Sequence, residues 1–314
     1  MNTLLITRPL PEEVLAKARA IADVTVRDTN VPMTEAEMTA AMGAYDMILP
    51  TLGDACTAAT MVDARCKLLA NFGVGYNHID AAAARAAGIA VSNTPGAVTD
   101  ATADIAMVLM LMTCRRAGEG ERMVRAGAWE GWHPTQMLGL HMSGKTVGIV
   151  GMGRIGQAIA KRCHHGFGMD VVFYNRSPKQ IDVPARQTET LTECMAAADV
   201  VVLAVPGGAA THHIIDADAI AAMQPHAHLV NIARGDVMDE AALIAALEAG
   251  KIAGAGLDVY EHEPAVPDAL KALENVVLLP HLGTAALEVR VSMGLMAVDN
   301  VAAFVDGREL PNAV

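Results

Sequence analysis

Short apolar runs alternate along this chain with longer segments in which apolar residues recur every three or four positions. The runs of the first part are TLLIT (3–7), VTVR (24–27), DMILP (46–50), KLLANF (67–72) and IAVSN (89–93), with helix-patterned PEEVLAKARAIA and TEAEMTAAM between the earlier ones. Strand-length runs separated by amphipathic segments predict a parallel sheet covered by helices. The rhythm breaks at a long apolar helix over 98–116 and at a polar, Trp-containing stretch from Gly118 to Ser143. It then restarts with KTVGIVG (145–151), DVVFYN (170–175), DVVVLAV (199–205), AHLVNIA (227–233), IAGAGLDV (252–259) and NVVLLP (275–280), and closes on an amphipathic helix over 286–306. Two series imply two α/β units. The last helix lies beyond the second series and is read as returning to the first unit, so the chain crosses twice, near 98–100 and 284–288. The expected domains are 1–99 with 286–314, and 100–285.

Composition narrows the function classes. With 53% hydrophobic residues the 314-residue chain has ample matter for two cores, which excludes disorder. The net charge of −12 argues against a nucleic-acid or anionic-membrane surface, so any anionic ligand must be met by locally placed cations. The longest apolar run in a helical context, Ile105 to Met112, falls far short of the roughly 20 residues that cross a bilayer. Cys56, Cys66, Cys114, Cys163 and Cys194 are odd in number and widely spaced, as free thiols of a cytoplasmic protein would be.

One glycine-rich turn stands in an informative context. Gly151-x-Gly153-x-x-Gly156 directly follows a strand and directly precedes a helix, the placement in which this motif binds a dinucleotide. The first glycine permits the tight turn, the second lets the backbone approach a pyrophosphate, and the third allows close packing of helix on strand. The helix N-terminus then presents unpaired N–H groups to the phosphates. The end of the next strand reads Tyr174-Asn175-Arg176-Ser177, with no acid where an NAD enzyme usually holds the ribose 2′-OH. A guanidinium there grips a 2′-phosphate, and Asn175 and Ser177 can add donors, so NADP is expected over NAD.

Three chemistry-bearing residues stand at the ends of later strand runs: Arg234 in NIARGDVMDE, Glu263 in LDVYEHEP and His281 in LLPHLGT. In open α/β sheets ligands bind outside the carboxyl ends of the strands, so all three can face one crevice. Reducing a 2-oxo acid by hydride transfer requires a cation for the carboxylate and carbonyl, and an acid for the developing alkoxide. The planar fork of Arg234 suits the first task, and an imidazole suits the second. A carboxylate beside that imidazole would orient it and stabilise its protonated form.

These motifs, with GVGYNHID (73–80), VTDATADIA (98–106), NIARG (231–235) and PHLGT (280–284), resemble the D-isomer-specific 2-hydroxyacid dehydrogenases over essentially the whole chain. The resemblance implies two Rossmann- or flavodoxin-like parallel-sheet domains, of which the substrate domain is discontinuous. It implies Arg234, Glu263 and His281 as the catalytic set. It assigns Gly151, Gly153, Arg154, Ile155, Gly156, Asn175, Arg176, Ser177, Pro206, Thr211, Ala233, Asp258 and Gly283 to the cofactor, with Asp258 near the nicotinamide. Leu52, Val74 and Gly75 join Arg234 and His281 around the substrate, whose carboxylate the N–H groups of Val74 and Gly75 would hold. Within the family the glyoxylate/hydroxypyruvate reductases look most similar, because WEGWHPTQMLG (129–139) resembles their dimerisation stretch and YNRS their NADP-preferring loop. A homodimer is therefore expected. With 33 residues after His281, no regulatory extension like that of long phosphoglycerate dehydrogenases is expected.

Two other readings remain open at this point. One is an NAD-linked dehydrogenase of a bulkier 2-oxo acid, and the other is a non-catalytic NADP(H)-sensing regulatory protein. The pairs His164-His165, His212-His213 and His226-x-His228 suggest metal binding, but no acid or Cys nearby completes a recognisable set. They are read as solvated histidines and no metal is expected. The nineteen methionines are read as core filler.

Overall fold

The structure, a computed structural model, describes residues 2–314. The chain divides into two compact units, residues through Val98 with Ala285–Val314, and Thr99–Thr284. In the first unit β1 (Thr3–Ile6), α1 (Glu12–Arg19), β2 (Asp23–Val26), α2 (Glu35–Ala44), β3 (Met47–Leu49), β4 (Leu68–Ala70), α3 (Ala81–Ala86) and β5 (Ala90–Ser92) follow in order. The sheet order β2-β1-β3-β4-β5 is parallel throughout, the doubly wound arrangement. Thr34 and Glu37 form a capping box that starts α2, and the Asp80 carboxylate caps α3.

The second unit begins with α4 (Thr99–Cys114) and α5 (Ala117–Arg125), followed by β6 (Thr146–Val150), α6 (Arg154–Phe167), β7 (Asp170–Tyr174), β8 (Arg186–Gln187), α7 (Leu191–Ala197) and β9 (Val200–Leu203). It continues through α8 (Ala217–Ala221), β10 (His228–Asn231), α9 (Glu240–Glu248), β11 (Gly254–Leu257), α10 (Asp268–Ala272) and β12 (Val276–Leu278). Its seven parallel strands run β12-β11-β10-β9-β6-β7-β8. Strand order reverses between β6 and β9, and that neighbouring pair is the switch point beyond whose carboxyl ends ligands bind. Both faces of the sheet are covered. Val200 and Val202 of β9 pack into one core with Leu109, Ile149 and Phe173, whereas Val201 and Leu203 pack into the other with Leu229, Leu243 and Leu257. Burial on both faces explains why these strands read as unbroken apolar runs rather than alternating ones. The methionines behave as filler where the sequence suggested it: Met107, Met110 and Met152 lie in the first of these cores. The last helix, α11 (Leu287–Val305), belongs to the first unit, where Gly294 meets Val14 so closely that an added Cβ would stand 2.5 Å from it.

Two elements differ from the sequence pattern. Within the stretch read as polar, Ala117–Arg125 is a helix, held by Arg116–Glu119 and Arg125–Glu121 ion pairs and burying none of its side chains. With Gly118 and Gly120 and four charged residues among its nine, the segment offers no apolar run to mark a helix. Strand β8 is two residues long and pairs with Val172 and Phe173, too short a run to register.

His228 also departs from expectation. It was read as solvated, yet it is 6% exposed and bonded through Nδ1 to the Thr113 hydroxyl at 3.0 Å, because its position opens a central strand. Burial, with the His226 charge beside it, pushes its imidazole down to about 4. Between about 6.5 and 4 the unfolded chain therefore binds a proton that the folded chain refuses, so stability falls as pH drops through that window and is unaffected above it. Urea unfolding midpoints of the wild type should decline from pH 7 to 5 more steeply than those of His228→Gln. The full window corresponds to about 3 kcal/mol, and parallel curves would contradict it.

Candidate active site

The glycine turn lies at the switch point. Gly151 closes β6 at φ 100°, a left-handed conformation that suits glycine, and a Cβ there would stand 2.7 Å from the Ala204 carbonyl. A Cβ on Gly156 would meet the Gly151 carbonyl at 2.2 Å, so α6 approaches the turn to a distance only glycine permits. Gly153 is the opposite case: nothing lies within 4 Å of its missing Cβ, and no side chain caps the first turn of α6. Arg154 is exposed beside it and Ile155 half-buried. After β7, the Asn175 side chain ties the next loop to the turn. Its Oδ1 accepts from the Met152 N–H at 3.2 Å, and its Nδ2 donates to the Ser177 carbonyl at 2.8 Å. The Asn175 amide is thus engaged within the loop, and the free cation there is Arg176, exposed and without a hydrogen-bond partner among the described residues. The loop after β9 is closed by the Thr211 hydroxyl, which donates to the Pro206 carbonyl at 2.6 Å. Open space before Gly153 and an uncapped helix start fit the pyrophosphate of a dinucleotide.

The residues that follow β10, β11 and β12 converge. Asn231, fully buried at the end of β10, accepts from the Ala233 N–H at 3.0 Å and donates to the Arg234 carbonyl at 3.0 Å, which pins the NIARG turn. Gly235 crosses the Tyr260 carbonyl, where a Cβ would come within 1.9 Å. The Arg234 side chain packs on Gly207 and donates from Nη1 to the Ala233 carbonyl at 2.7 Å. Burial lowers its pKa, against the opposing pull of Glu263 and Asp236, but the guanidinium stays charged.

His281 is held from two sides. Its N–H donates to the Asp258 carbonyl at 2.9 Å, while the Asp258 carboxylate, 2% exposed, accepts from Leu282 N–H at 2.6 Å and Gly283 N–H at 2.8 Å. Burial pushes the Asp258 carboxyl above its usual range despite those donors. The backbone at His281 is left-handed, φ 55°, a strained state for a residue with a Cβ that the surrounding bonds sustain. The imidazole Nδ1 meets Glu263 Oε2 at 2.9 Å, and both side chains are 30% exposed. Glu263 Oε1 accepts the Tyr260 N–H at 3.1 Å, and the Tyr260 hydroxyl donates to the Leu279 carbonyl at 2.9 Å. Burial raises the Glu263 carboxyl, but the His281 bond and charge, the Tyr260 N–H and Arg234 outweigh it and hold the group below its usual value. The pair therefore offers a carboxylate-anchored imidazole with Nε2 unengaged among the described residues, beside a charged guanidinium.

In the first unit, the three carbonyls of Gly73, Val74 and Gly75 are all occupied. The Asn71 amide donates to Gly73 and Gly75 at 2.9 and 3.0 Å, and Asn93 to Val74 at 2.9 Å. With the carbonyls pinned, the Val74 and Gly75 N–H groups have no acceptor among the described residues, an arrangement that suits an anion. Leu52 is half-buried in a loop whose Leu52 carbonyl accepts from Arg8 Nη1 at 2.8 Å.

Sequence reasoning missed Asn231, Tyr260 and the clamp that Asp258 makes. A polar residue ending a wholly apolar run, as Asn231 and Asp258 do, was the available signal. The histidine pairs also require a correction. An acid does complete one of them: Glu261 Oε1 lies 2.8 Å from His213 Nε2, brought there from 48 residues away by the turn after β11.

The profile of the D-isomer specific 2-hydroxyacid dehydrogenase, NAD binding domain, matches residues 107–283. A glyoxylate reductase of Thermococcus onnurineus is 40% identical, over 99% of this chain and 95% of its own. A glycerate dehydrogenase of Hyphomicrobium methylovorum is 37% identical, over 99% of this chain and 98% of its own. Among solved structures, an NADPH-dependent glyoxylate/hydroxypyruvate reductase of Sinorhizobium meliloti, in complex with NADP and malonate, superposes with a TM-score of 0.90 at 36% identity, covering 100% of this chain and 96% of that one.

The clamp on the His281 loop yields a direct test. Asp258→Ala strands two N–H donors, at about 1–3 kcal/mol for each that stays buried. Amide exchange at Leu282 and Gly283 should accelerate while that of Ile149 in β6 is unchanged; equal protection in both proteins would show that the clamp does not hold the loop.

Proposed function

The chain belongs to the D-isomer specific 2-hydroxyacid dehydrogenases, and from that premise we propose that it reduces small 2-oxo acids, glyoxylate and hydroxypyruvate first, with NADPH preferred over NADH. The observation that carries the reading is the Glu263–His281 pair at 2.9 Å, with an unengaged Nε2 beside Arg234. The named activities of the similar proteins from Thermococcus and Sinorhizobium support the substrate class. Arg176, exposed and unpaired where an acid would repel a 2′-phosphate, supports the cofactor preference.

The division of labour follows from the side chains. Arg234 meets the substrate carboxylate and draws electron density toward the carbonyl oxygen. In the first unit the unpartnered Val74 and Gly75 N–H groups suit an anionic group such as a carboxylate. Protonated His281 gives the Nε2 proton to the carbonyl oxygen, and Glu263 holds Nδ1 so that this nitrogen faces the substrate. A reduced nicotinamide, when bound, supplies the hydride to the carbonyl carbon. Arg234 compensates the growing negative charge until the proton arrives. Asp258 keeps the His281 loop in register through Leu282 and Gly283.

Trp129, Trp132 and Leu138 expose 53%, 80% and 68% of their surface, an outlay of apolar area that supports a homodimer through this stretch. All five cysteines are unpaired and buried, as befits a reducing, cytoplasmic setting.

Loss of NADPH absorbance with glyoxylate or hydroxypyruvate tests the activity itself. His281→Gln should lower kcat by about 10²–10⁴-fold while NADPH affinity stays put, and a kcat within twofold of wild type would remove His281 as the proton donor. Glu263→Gln should move the basic limb of the pH–rate profile to lower pH, since the carboxylate no longer stabilises the protonated imidazole; an unmoved limb takes Glu263 out of the mechanism. For the cofactor, Arg176→Asp should cut the NADPH/NADH ratio of kcat/KM by at least about tenfold. A ratio that does not change, or one near unity in the wild type, overturns the NADP assignment.

A further inference from the structure

Outside the catalytic set, one group of side chains has the composition and geometry of a ligand shell. His212 and His213 lie in the loop that follows β9, with their rings stacked 4.0 Å apart. His213 adopts a left-handed backbone, φ 48°, and its N–H donates to the Asp236 carbonyl at 2.8 Å, which holds the ring against Glu261. One ligand atom from each of His212, His213 and Glu261 falls within 4.8 Å of the others. His212 is exposed, and the other two are half-buried. Next to Glu261 sits a second carboxyl, Glu240, 6% exposed; the backbone N–H of each donates to the carboxylate of the other at 3.5 Å. Two carboxyl groups thus stand side by side, and a cation bound to Glu261 would offset their repulsion.

We propose that His212, His213 and Glu261 bind a single divalent ion of the zinc class, joining the loop after β9 to the turn after β11. Two imidazole nitrogens and one carboxylate oxygen form a mixed N/O donor set that suits zinc, cobalt(II) and nickel(II) and is poor for magnesium or calcium, which want oxygen alone. Three protein ligands with one exposed imidazole leave a coordination position to water, the pattern of an open rather than a closed site. Bonds of about 2.0–2.2 Å set tetrahedral ligand atoms about 3.4 Å apart, so His213 Nε2 and Glu261 Oε1, now 2.8 Å apart, must separate slightly to admit the ion. The ion replaces the hydrogen bond between His213 and Glu261, and the neutral ring binds it through Nε2 with its proton on Nδ1. The tie reaches toward the proposed chemistry, since Thr211 precedes His212 and Glu263 follows Glu261 by two residues. Binding itself does not depend on the proposed reaction.

The test uses the full chain stripped with EDTA. Isothermal titration with zinc(II) at pH 7.5 should give one site per chain, no heat with magnesium(II), and affinity that falls as the pH is lowered through the imidazole range. His212→Ala and Glu261→Gln should each weaken the site by more than about tenfold while leaving the metal-free melting temperature near that of wild type. Cobalt(II) absorption in the visible should report nitrogen ligation in the wild type and disappear in the double variant. An absent 1:1 site, or a site of unchanged affinity and cobalt spectrum in the double variant, overturns the proposal. A zinc site in a protein that does not reduce glyoxylate would uphold this inference and sink the proposed function; the reverse result would do the opposite.

Discussion

The constraint on which the rest depends is the bond between Glu263 and His281. In the proposed reaction the imidazole gives its proton from one nitrogen while the other is held, and the 2.9 Å contact to a carboxylate orients the ring for that role. The bond in turn needs two loops kept in register. Asp258 supplies this from the buried end of β11, gripping the loop after β12 through three backbone N–H groups, while the Tyr260 hydroxyl reaches the Leu279 carbonyl from the same turn. The strained backbone at His281 is sustained by these bonds, so local stability and the proposed chemistry draw on the same few contacts.

The second sheet explains why the proposed site lies where it does. Its strands run parallel with both faces buried, so polar groups gather at the strand ends. The reversal of order between β6 and β9 brings the glycine turn and the Pro206–Thr211 loop to one edge of the unit, and the loops after β10, β11 and β12 carry the three ionisable residues on the same carboxyl side. Electrostatics then sort the carboxyls. Glu263, beside an imidazole and a guanidinium, is held in its charged form, while burial makes Asp258 a more reluctant anion whose task is to accept backbone bonds.

Much of this was legible in the sequence. The apolar runs announced two parallel sheets because strands buried on both faces cannot alternate, and the glycine turn was identifiable because it sits between such a run and a helix. Arg234, Glu263 and His281 stood out as polar residues following strand runs. What escaped notice depended on contacts between distant segments or on elements without a buried face. Helix α5 buries none of its side chains, β8 is two residues long, and Glu261 reaches His213 only after two helix–strand passages. His228 was misjudged because a histidine at the mouth of a strand looks solvated until the neighbouring helix contributes Thr113. Asn231 and Asp258 act on backbone groups, so the sequence marks them only as polar residues that follow apolar runs and does not show what they hold.

A double-mutant cycle on kcat for glyoxylate reduction, built from His281→Asn and Glu263→Gln, tests the central claim most directly. If Glu263 works through the imidazole, its loss costs little once His281 is gone, and the double variant is no slower than His281→Asn within about twofold. Losses that multiply across the two sites would show that the carboxylate acts independently of the imidazole, and the account of the site built on their bond would be wrong.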